Sequence, residues 1–344
     1  MVGQWSKLSG LKLTLETVEL LPHSLRVSPQ FERHTTVIRF GGAGAYGLGE
    51  DVVYDTEEQL RFRGSKIDWP RGEFDLESFS NAIDELVLFD RAPQQQAYHD
   101  YRRWAVEAAA LDLALAQSGR KLAEVLERSL EPVNFAVSTG LGNPPALDKV
   151  EELIRRVPGA RFKLDANSEW SQELLDRLAE MGVVDVVDFK GAYKGTIVDT
   201  PPDAALYRRV AETLPQALLE DPAWNAETAE ALEPFRDRIS WDAPIHGIQN
   251  IEALPFPPRV INIKPSRFGK LNTLCETYDY CRLHGIGMYG GGQFELDEGR
   301  LQIQTLASLF HSSATNDVSP IEYHQPDEHE KLPSSPLQPA GRWT

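Results

Sequence analysis

The chain of 344 residues is poor in cysteine, methionine and positive charge, and it contains no long apolar run. Its two cysteines, Cys275 and Cys281, lie six apart in a segment with helical patterning, where they point in different directions. A disulfide framework is therefore excluded, and a reducing compartment is expected. The opening MVGQWSKLSG has no apolar h-region, which adds to the expectation of a cytoplasmic protein. Nowhere do about 18 apolar residues run together, so no membrane partner is expected. Basic residues number 35 against 52 acidic ones, a formal charge of -17, and such a surface repels phosphate backbones. Nucleic acid is thereby set aside as a partner. The same field repels small anions at long range, so a carboxylate substrate requires local positive charge from lysines or from a bound cation. Histidine is sparse too, and His246, His284, His311 and His324 form no H-x-x-x-H ligand spacing. No G-x-G-x-x-G follows a first strand, which argues against an open dinucleotide-binding sheet.

What is present is ordinary core material: 41% of the residues are apolar and 25% charged, enough for two folded domains. Residues 11–20 and 33–40 alternate and are rich in β-branched side chains, so they read as antiparallel strands, and the Gly-rich GGAGAYGLGE reads as a turn. Helical spacing covers 75–90 and, more strongly, His99 to Arg128. From residue 131 the pattern changes to eight short apolar runs, near 135, 162, 187, 219, 241, 263, 288 and 318. Each interval has room for a strand, a helix and two loops, as repeated βα units require. TPPD, from Thr200 to Asp203, offers a helix cap and early prolines between two of them. Eight units predict closure into a TIM-type α/β barrel. The expected organisation is an α+β capping domain over 1–98, a linking helix over 99–130, a (β/α) barrel over 131–324 and a tail over 325–344 with little to bury. The sequence leaves a homo-oligomer open.

In a parallel barrel the functional face lies at the C-terminal ends of the strands. Here those ends are charged: the third run stops at Asp188, the fourth at Glu220 in LLEDP, the fifth at Asp242 in SWDAP and the sixth at Lys264 in NIKPS. Three carboxylates on adjacent strands repel one another, and a hard divalent cation, most naturally Mg²⁺, relieves that repulsion. A metal so placed can take a substrate carboxylate and stabilise the charge formed when the adjacent carbon loses its proton. The remaining need is a base. A cation lowers the pKa of a neighbouring ammonium, and Lys264 lies one strand beyond Asp242. Lys163 and Asp165 share one face of the second strand and would meet the substrate from the other side. Lys190, two residues past Asp188, is a further partner at the rim. Tyr289 and Gln293 are expected to line the pocket, with Trp241 pointing away from it.

These residues resemble the enolase superfamily, and the muconate-lactonizing-enzyme-like branch of the mandelate racemase/muconate lactonizing enzyme family in particular. AVEAAALDLALAQSGRKLAEVL is similar to the family's linking helix and GLGEDVVYD to its capping-domain turn. LLEDP, the Asp242 strand and INIKPSRFGKL are similar to the second metal ligand, the third metal ligand and the lysine strand, with YGGGQFELDEG beyond. The resemblance implies a modified (β/α)7β barrel under an N-terminal α+β capping domain whose loops, around 20–35 and 50–55, close on the substrate. It also implies a single divalent cation, Mg²⁺, and a small carboxylate substrate whose α-proton is removed. Three features depart from the family's pattern. The second strand carries Lys163-Leu164-Asp165 where most lysine-using members have K-x-K, which favours one-sided chemistry, a cycloisomerase-like isomerase or a dehydratase- or synthase-like lyase, over racemisation. DANSEW also resembles the third-strand D-x-N motif, which would make Asp165 the first metal ligand, although counting back from the lysine strand favours Asp188. DFKG is unusual in placing Lys190 where a neutral residue is common. The alternative is therefore an enolase-like barrel with lost or altered catalysis, serving as a binding or scaffold protein.

Overall fold

The computed structural model describes residues 3–194, 196, 198–324 and 331–344. Near the N-terminus, strand β1 (Lys12–Leu15) pairs antiparallel with β5 (Gly72–Asp75). Strands β2 (Thr17–Ser28), β3 (Phe31–Gly42) and β4 (Ala45–Asp51) form an antiparallel meander. The expected loop at 20–35 is thus mostly hairpin, because alternating polar and apolar residues continue the ladder to Ser28 and resume it at Phe31. The expected Gly-rich turn is only Ala43–Gly44, and the glycines after it belong to β4. They are there for close packing. A Cβ on Gly47 would lie 2.1 Å from the Leu113 nitrogen, and one on Gly49 would lie 2.0 Å from the Ala105 oxygen. Without side chains, β4 lies flush on the long buried helix Ala97–Ser118. The helix expected over 75–90 ends at Asp84.

Seven short strands follow and pair in parallel, in sequence order: β6 (Val137–Gly140), β7 (Phe162–Asp165), β8 (Val184–Asp188), β9 (Leu218–Glu220), β10 (Ile239–Trp241), β11 (Val260–Ile263) and β12 (Gly287–Gly290). Both faces are covered, so their interiors are near-continuously apolar, as in Val184, Val186 and Val187. The eighth run forms no strand of its own. Asn316 bridges Phe135, and Asp317 bridges Gly291, so two residues close the ring. Asn316 also accepts from the Gly290 N–H at 2.6 Å and meets His311 Nδ1 at 2.7 Å, which pins the closing segment. Between β8 and β9, Asp203 caps the helix Ala204–Thr213 by accepting from the Leu206 N–H at 2.9 Å. This is the modified (β/α)7β barrel beneath an α+β capping unit that the sequence predicts.

Of the tail, 325–330 lies outside the described residues, while 331–344 folds back onto the protein. Leu332 and Trp343 are buried, Trp343 edge-on to Trp104 at 6.5 Å, and Leu337 exchanges backbone hydrogen bonds with Val133. The expectation of a tail with little to bury does not hold for these two side chains. Among the described residues no helix is long and apolar enough to cross a membrane, and both cysteines are free and buried.

Candidate active site

Strand pairing sets Asp165, Asp188 and Glu220 level with one another across β7, β8 and β9, with Ser240 of β10 beside Glu220. Asp242 follows one residue past β10. The strand ends thus bring three carboxylates together: Asp188, Glu220 and Asp242 are fully buried, and one oxygen of each lies within 4.8 Å of the others. Asp165, at the same level, turns aside; its side chain is 40% exposed and meets Lys190 Nζ at 3.2 Å. The geometry therefore groups Asp188, not Asp165, with the other two acids.

Four cations surround the triad. Lys163 Nζ donates to Glu220 Oε1 and lies 3.4 Å from both Asp188 Oδ2 and Asp317 Oδ2. Lys190 adopts φ 55°, a backbone region costly for a residue with a Cβ, and its Nζ reaches back to Asp188 Oδ2 at 2.6 Å. Lys264 Nζ sits 2.8 Å from Asp242 Oδ2, and Arg267 Nη1 sits 2.5 Å from Asp242 Oδ1. Tyr193 donates to Asp242 Oδ2 at 2.8 Å and accepts from Arg267 Nη2 at 3.1 Å. Asp221, also at positive φ, accepts from the N–H groups of Asp242 and Ala243 at 2.8 and 2.7 Å, which fixes the turn carrying Asp242.

Burial works to raise the Asp188 carboxyl, but Lys190 and Lys163 outweigh it and hold the group well below the carboxylate range. Asp242 is held low in the same way, with Arg267 and Lys264 overcoming burial. Glu220 is pushed up by burial and by Asp188 and Asp242, against Lys163. Lys163 and Lys190 rise although burial opposes it, because carboxylates crowd them, so both stay protonated. Three converging carboxylates are a hard-oxygen donor set, and the residues present fit a divalent cation of the Mg²⁺ class.

A cavity of about 270 Å³ opens above this cluster, lined by Lys163, Asp165, Lys190 and Lys264 together with Tyr54, Phe294, Glu295, Arg300, Asp317 and His324. Tyr289 and Gln293 do not line it. The Tyr289 hydroxyl donates to Glu220 Oε2 and lies 3.0 Å from Ser240 Oγ, and Gln293 is buried at the base of the next loop. Trp241 points outward onto Trp224 and Phe256. Tyr193, Asp221, Arg267, Arg300 and Asp317 were missed in the sequence. Asp221 had a local signal, its place beside Glu220 in LLEDP, whereas Tyr193 and Asp317 arrive from loops and Arg300 from the first turn of the helix Glu298–Phe310, in directions that no motif encodes.

The capping unit reaches the site directly through Tyr54 and also holds the loop that follows β12. Arg33 donates to the carbonyls of Gln293 and Phe294 at 3.1 and 3.3 Å. Glu50 accepts from the N–H groups of Leu296, Asp297 and Gly299 at 2.7, 3.1 and 3.1 Å.

Residues 129–325 match the family model described as "Domain of unknown function (DUF8230) C-terminal domain", and residues 6–125 match its N-terminal counterpart. An N-succinylamino acid racemase of an Amycolatopsis species is 28% identical over 64% of this chain. That match spans 61% of the relative, less than two thirds of its length. A member of the enolase superfamily from Listeria innocua superposes with TM-score 0.63 at 20% identity, over 90% of this chain and 85% of its own. A dipeptide epimerase from Methylococcus capsulatus complexed with a magnesium ion gives TM-score 0.63 at 21% identity, over 89% and 88%.

Proposed function

Because the chain belongs to the DUF8230 family and has the fold of the enolase superfamily, we propose that it is a metal-dependent enzyme that removes the proton α to a small substrate's carboxylate. The observation that carries this reading is the convergence of Asp188, Glu220 and Asp242 within 4.8 Å, with Lys264 Nζ 2.8 Å from the last of them, beneath a cavity that Lys163, Lys190 and Lys264 line. Asp188, Glu220 and Asp242 would hold the cation, Mg²⁺ by the hardness of the donor set, and when bound it supplies positive charge that favours the anion developing on the substrate.

The chain's own residues do the rest. Lys264 is the base. Among the described residues it has a single carboxylate neighbour, whereas Lys163 touches three and Lys190 two. Arg267 and Tyr193 fix Asp242, and Asp242 in turn holds the Lys264 amino group in place; that group takes the α-proton in its neutral amine form and becomes the ammonium. Lys163 and Lys190, kept protonated, add the positive potential that the acidic surface denies to an incoming anion. Asp165 keeps Lys190 at the rim. One lightly engaged lysine suits one-sided proton chemistry, an isomerisation or an elimination.

The name of the Amycolatopsis relative makes N-acylated amino acids the first substrates to try. The test is exchange of substrate α-hydrogen with deuterated solvent, with and without Mg²⁺, across a carboxylate library. Exchange that requires the cation is the expected result, and no exchange with any acid would sink the proposal. A barrel that has given up turnover and acts as a scaffold is not favoured, because such a protein has no need of converging buried carboxylates. Its mark would be indifference to Mg²⁺ in calorimetric titration.

A further inference from the structure

Of the three converging acids, Asp188 has both of its oxygens engaged by a single residue two places along the chain. Its Oδ1 accepts the Lys190 N–H at 2.9 Å, and its Oδ2 accepts from Lys190 Nζ at 2.6 Å. Lys163 stands farther from the same Oδ2, at 3.4 Å. Glu220 and Asp242 differ, since their partners come from other strands and loops: Lys163, Tyr289 and Asn262 for Glu220, and Lys264, Arg267 and Tyr193 for Asp242.

The backbone aims this ammonium. Lys190 sits at φ 55°, and the residue after it is tied down as well, the Gly191 N–H donating to the Asp221 carbonyl at 2.9 Å. A Cβ on Gly191 would stand 2.2 Å from the Ala223 nitrogen, so the chain passes the turn after β9 at a distance that only glycine permits. With its backbone pinned on both sides, Lys190 can leave Asp188 only by rotating its side chain.

One strand away a second acid is within reach of that rotation. Asp165, level with Asp188 across the β7–β8 pair, places Oδ1 3.2 Å from Lys190 Nζ. The approach is out of line for a hydrogen bond, and this oxygen accepts from no donor among the described residues. Asp165 and Lys190 both line the cavity, whereas Asp188 is fully buried beneath it. The ammonium therefore stands between an inner acid that it bonds and an outer acid whose facing oxygen is unused. Lys163, 1% exposed against 19% for Lys190, is packed too closely to make a comparable move.

Resting on the reading of Asp188, Glu220 and Asp242 as ligands of a divalent cation, we infer that Lys190 is a positioning residue that sets how tightly the triad holds that cation: its ammonium shares Asp188 with the cation, and Asp165 is the acceptor to which it withdraws on cation binding. Two positive charges at one carboxylate oxygen repel, and in a buried site the repulsion is weakly screened. Asp165 lets the ammonium leave Asp188 without becoming an unpaired buried charge, the costlier alternative. Lys190 thus lowers the affinity of the triad, and Asp165 restores part of it.

Calorimetric titration of the full chain with MgCl₂ reads this affinity without turnover. K190M should bind Mg²⁺ at least about tenfold more tightly than wild type, and K190R, which keeps the charge, should not tighten binding. D165N should weaken binding by about threefold or more in the wild-type background and lose most of that effect in K190M, where no ammonium remains to withdraw. K190M binding no more tightly than wild type, K190R tightening as much as K190M, or D165N costing as much with Lys190 absent as present would each overturn the inference. A second measurement needs no variant: reductive methylation with formaldehyde, read by peptide mass spectrometry against the exposed Lys12, should label Lys190 about threefold faster or more in saturating Mg²⁺, because the group has left Asp188 for the rim. Equal labelling with and without Mg²⁺ counts against the withdrawal. Failure here is distinguishable from failure of the proposed reaction: tighter Mg²⁺ binding by K190M without α-hydrogen exchange keeps this inference and loses that one. Mg²⁺-dependent exchange with an unchanged K190M affinity does the reverse, and Mg²⁺ binding by none of these proteins ends both.

Discussion

Replacing Lys264 by methionine should remove α-hydrogen exchange while leaving cation binding intact. The Lys264 side chain is 7% exposed, and its Nζ has one carboxylate neighbour, Asp242 Oδ2 at 2.8 Å. When the ammonium goes, Asp242 retains Arg267 at 2.5 Å and the Tyr193 hydroxyl at 2.8 Å. It is therefore not stranded as a lone buried charge, a situation that costs about 3–5 kcal/mol. The methionine stem fills most of the lysine's volume, so the stability change should stay below about 2 kcal/mol. A positioned general base is worth about 10²–10⁴-fold in rate, or roughly 3–5 kcal/mol of barrier. The ammonium also competes with a cation for Asp242, so K264M should bind Mg²⁺ at least as tightly as wild type. Proton NMR of substrate in deuterated buffer reads the exchange, and calorimetry reads the metal. Exchange within about tenfold of wild type would refute the role of base. Loss of Mg²⁺ affinity together with exchange would make Lys264 a structural part of the site instead.

Three further outcomes follow from the fold. Gly47→Ala should destabilise the capping unit by at least about 1–3 kcal/mol in urea unfolding, because its Cβ would meet the backbone of Leu113 and Ala109 at 2.1 and 2.4 Å and neither can swing aside; an unchanged midpoint would disprove the close approach of β4 to the long helix. Glu50→Ala should speed amide exchange at Leu296, Asp297 and Gly299 by about tenfold or more, since each N–H loses its acceptor, and protection equal to wild type would mean that the capping unit does not hold this loop. Burial pushes His311 down to about 4, so between roughly pH 6.5 and pH 4 the unfolded chain takes up a proton that the folded chain refuses, and stability present above pH 6.5 is lost as the pH falls. His311→Gln should therefore lose about 2 kcal/mol less than wild type between pH 6.5 and pH 5 in urea titrations, and parallel slopes would count against the assignment.

The sequence by itself determined the parallel barrel. Apolar runs separated by 22 to 32 residues admit little else, and the charged residues that end them stand at strand ends because a strand buried on both faces can carry charge only where it emerges. For that reason Asp188, Glu220, Asp242 and Lys264 could be picked out along the chain before their side chains were seen to converge. Which way the lysines of β7 and the β8 loop would turn was not legible. Lys163 is tied to three acids from three other parts of the ring, and Lys190 reaches Asp188 through a positive φ that no composition announces. The eighth strand was over-read because an apolar run says nothing about whether its backbone finds a partner along its length, and only two residues do. The tail was under-read because Trp343 is buried only once the long helix offers Trp104 as a wall. Arg33 and Glu50 meet groups supplied by distant segments, so their roles exist only when the capping unit has docked. Local pattern decides where charge leaves a strand; tertiary packing decides which charges meet.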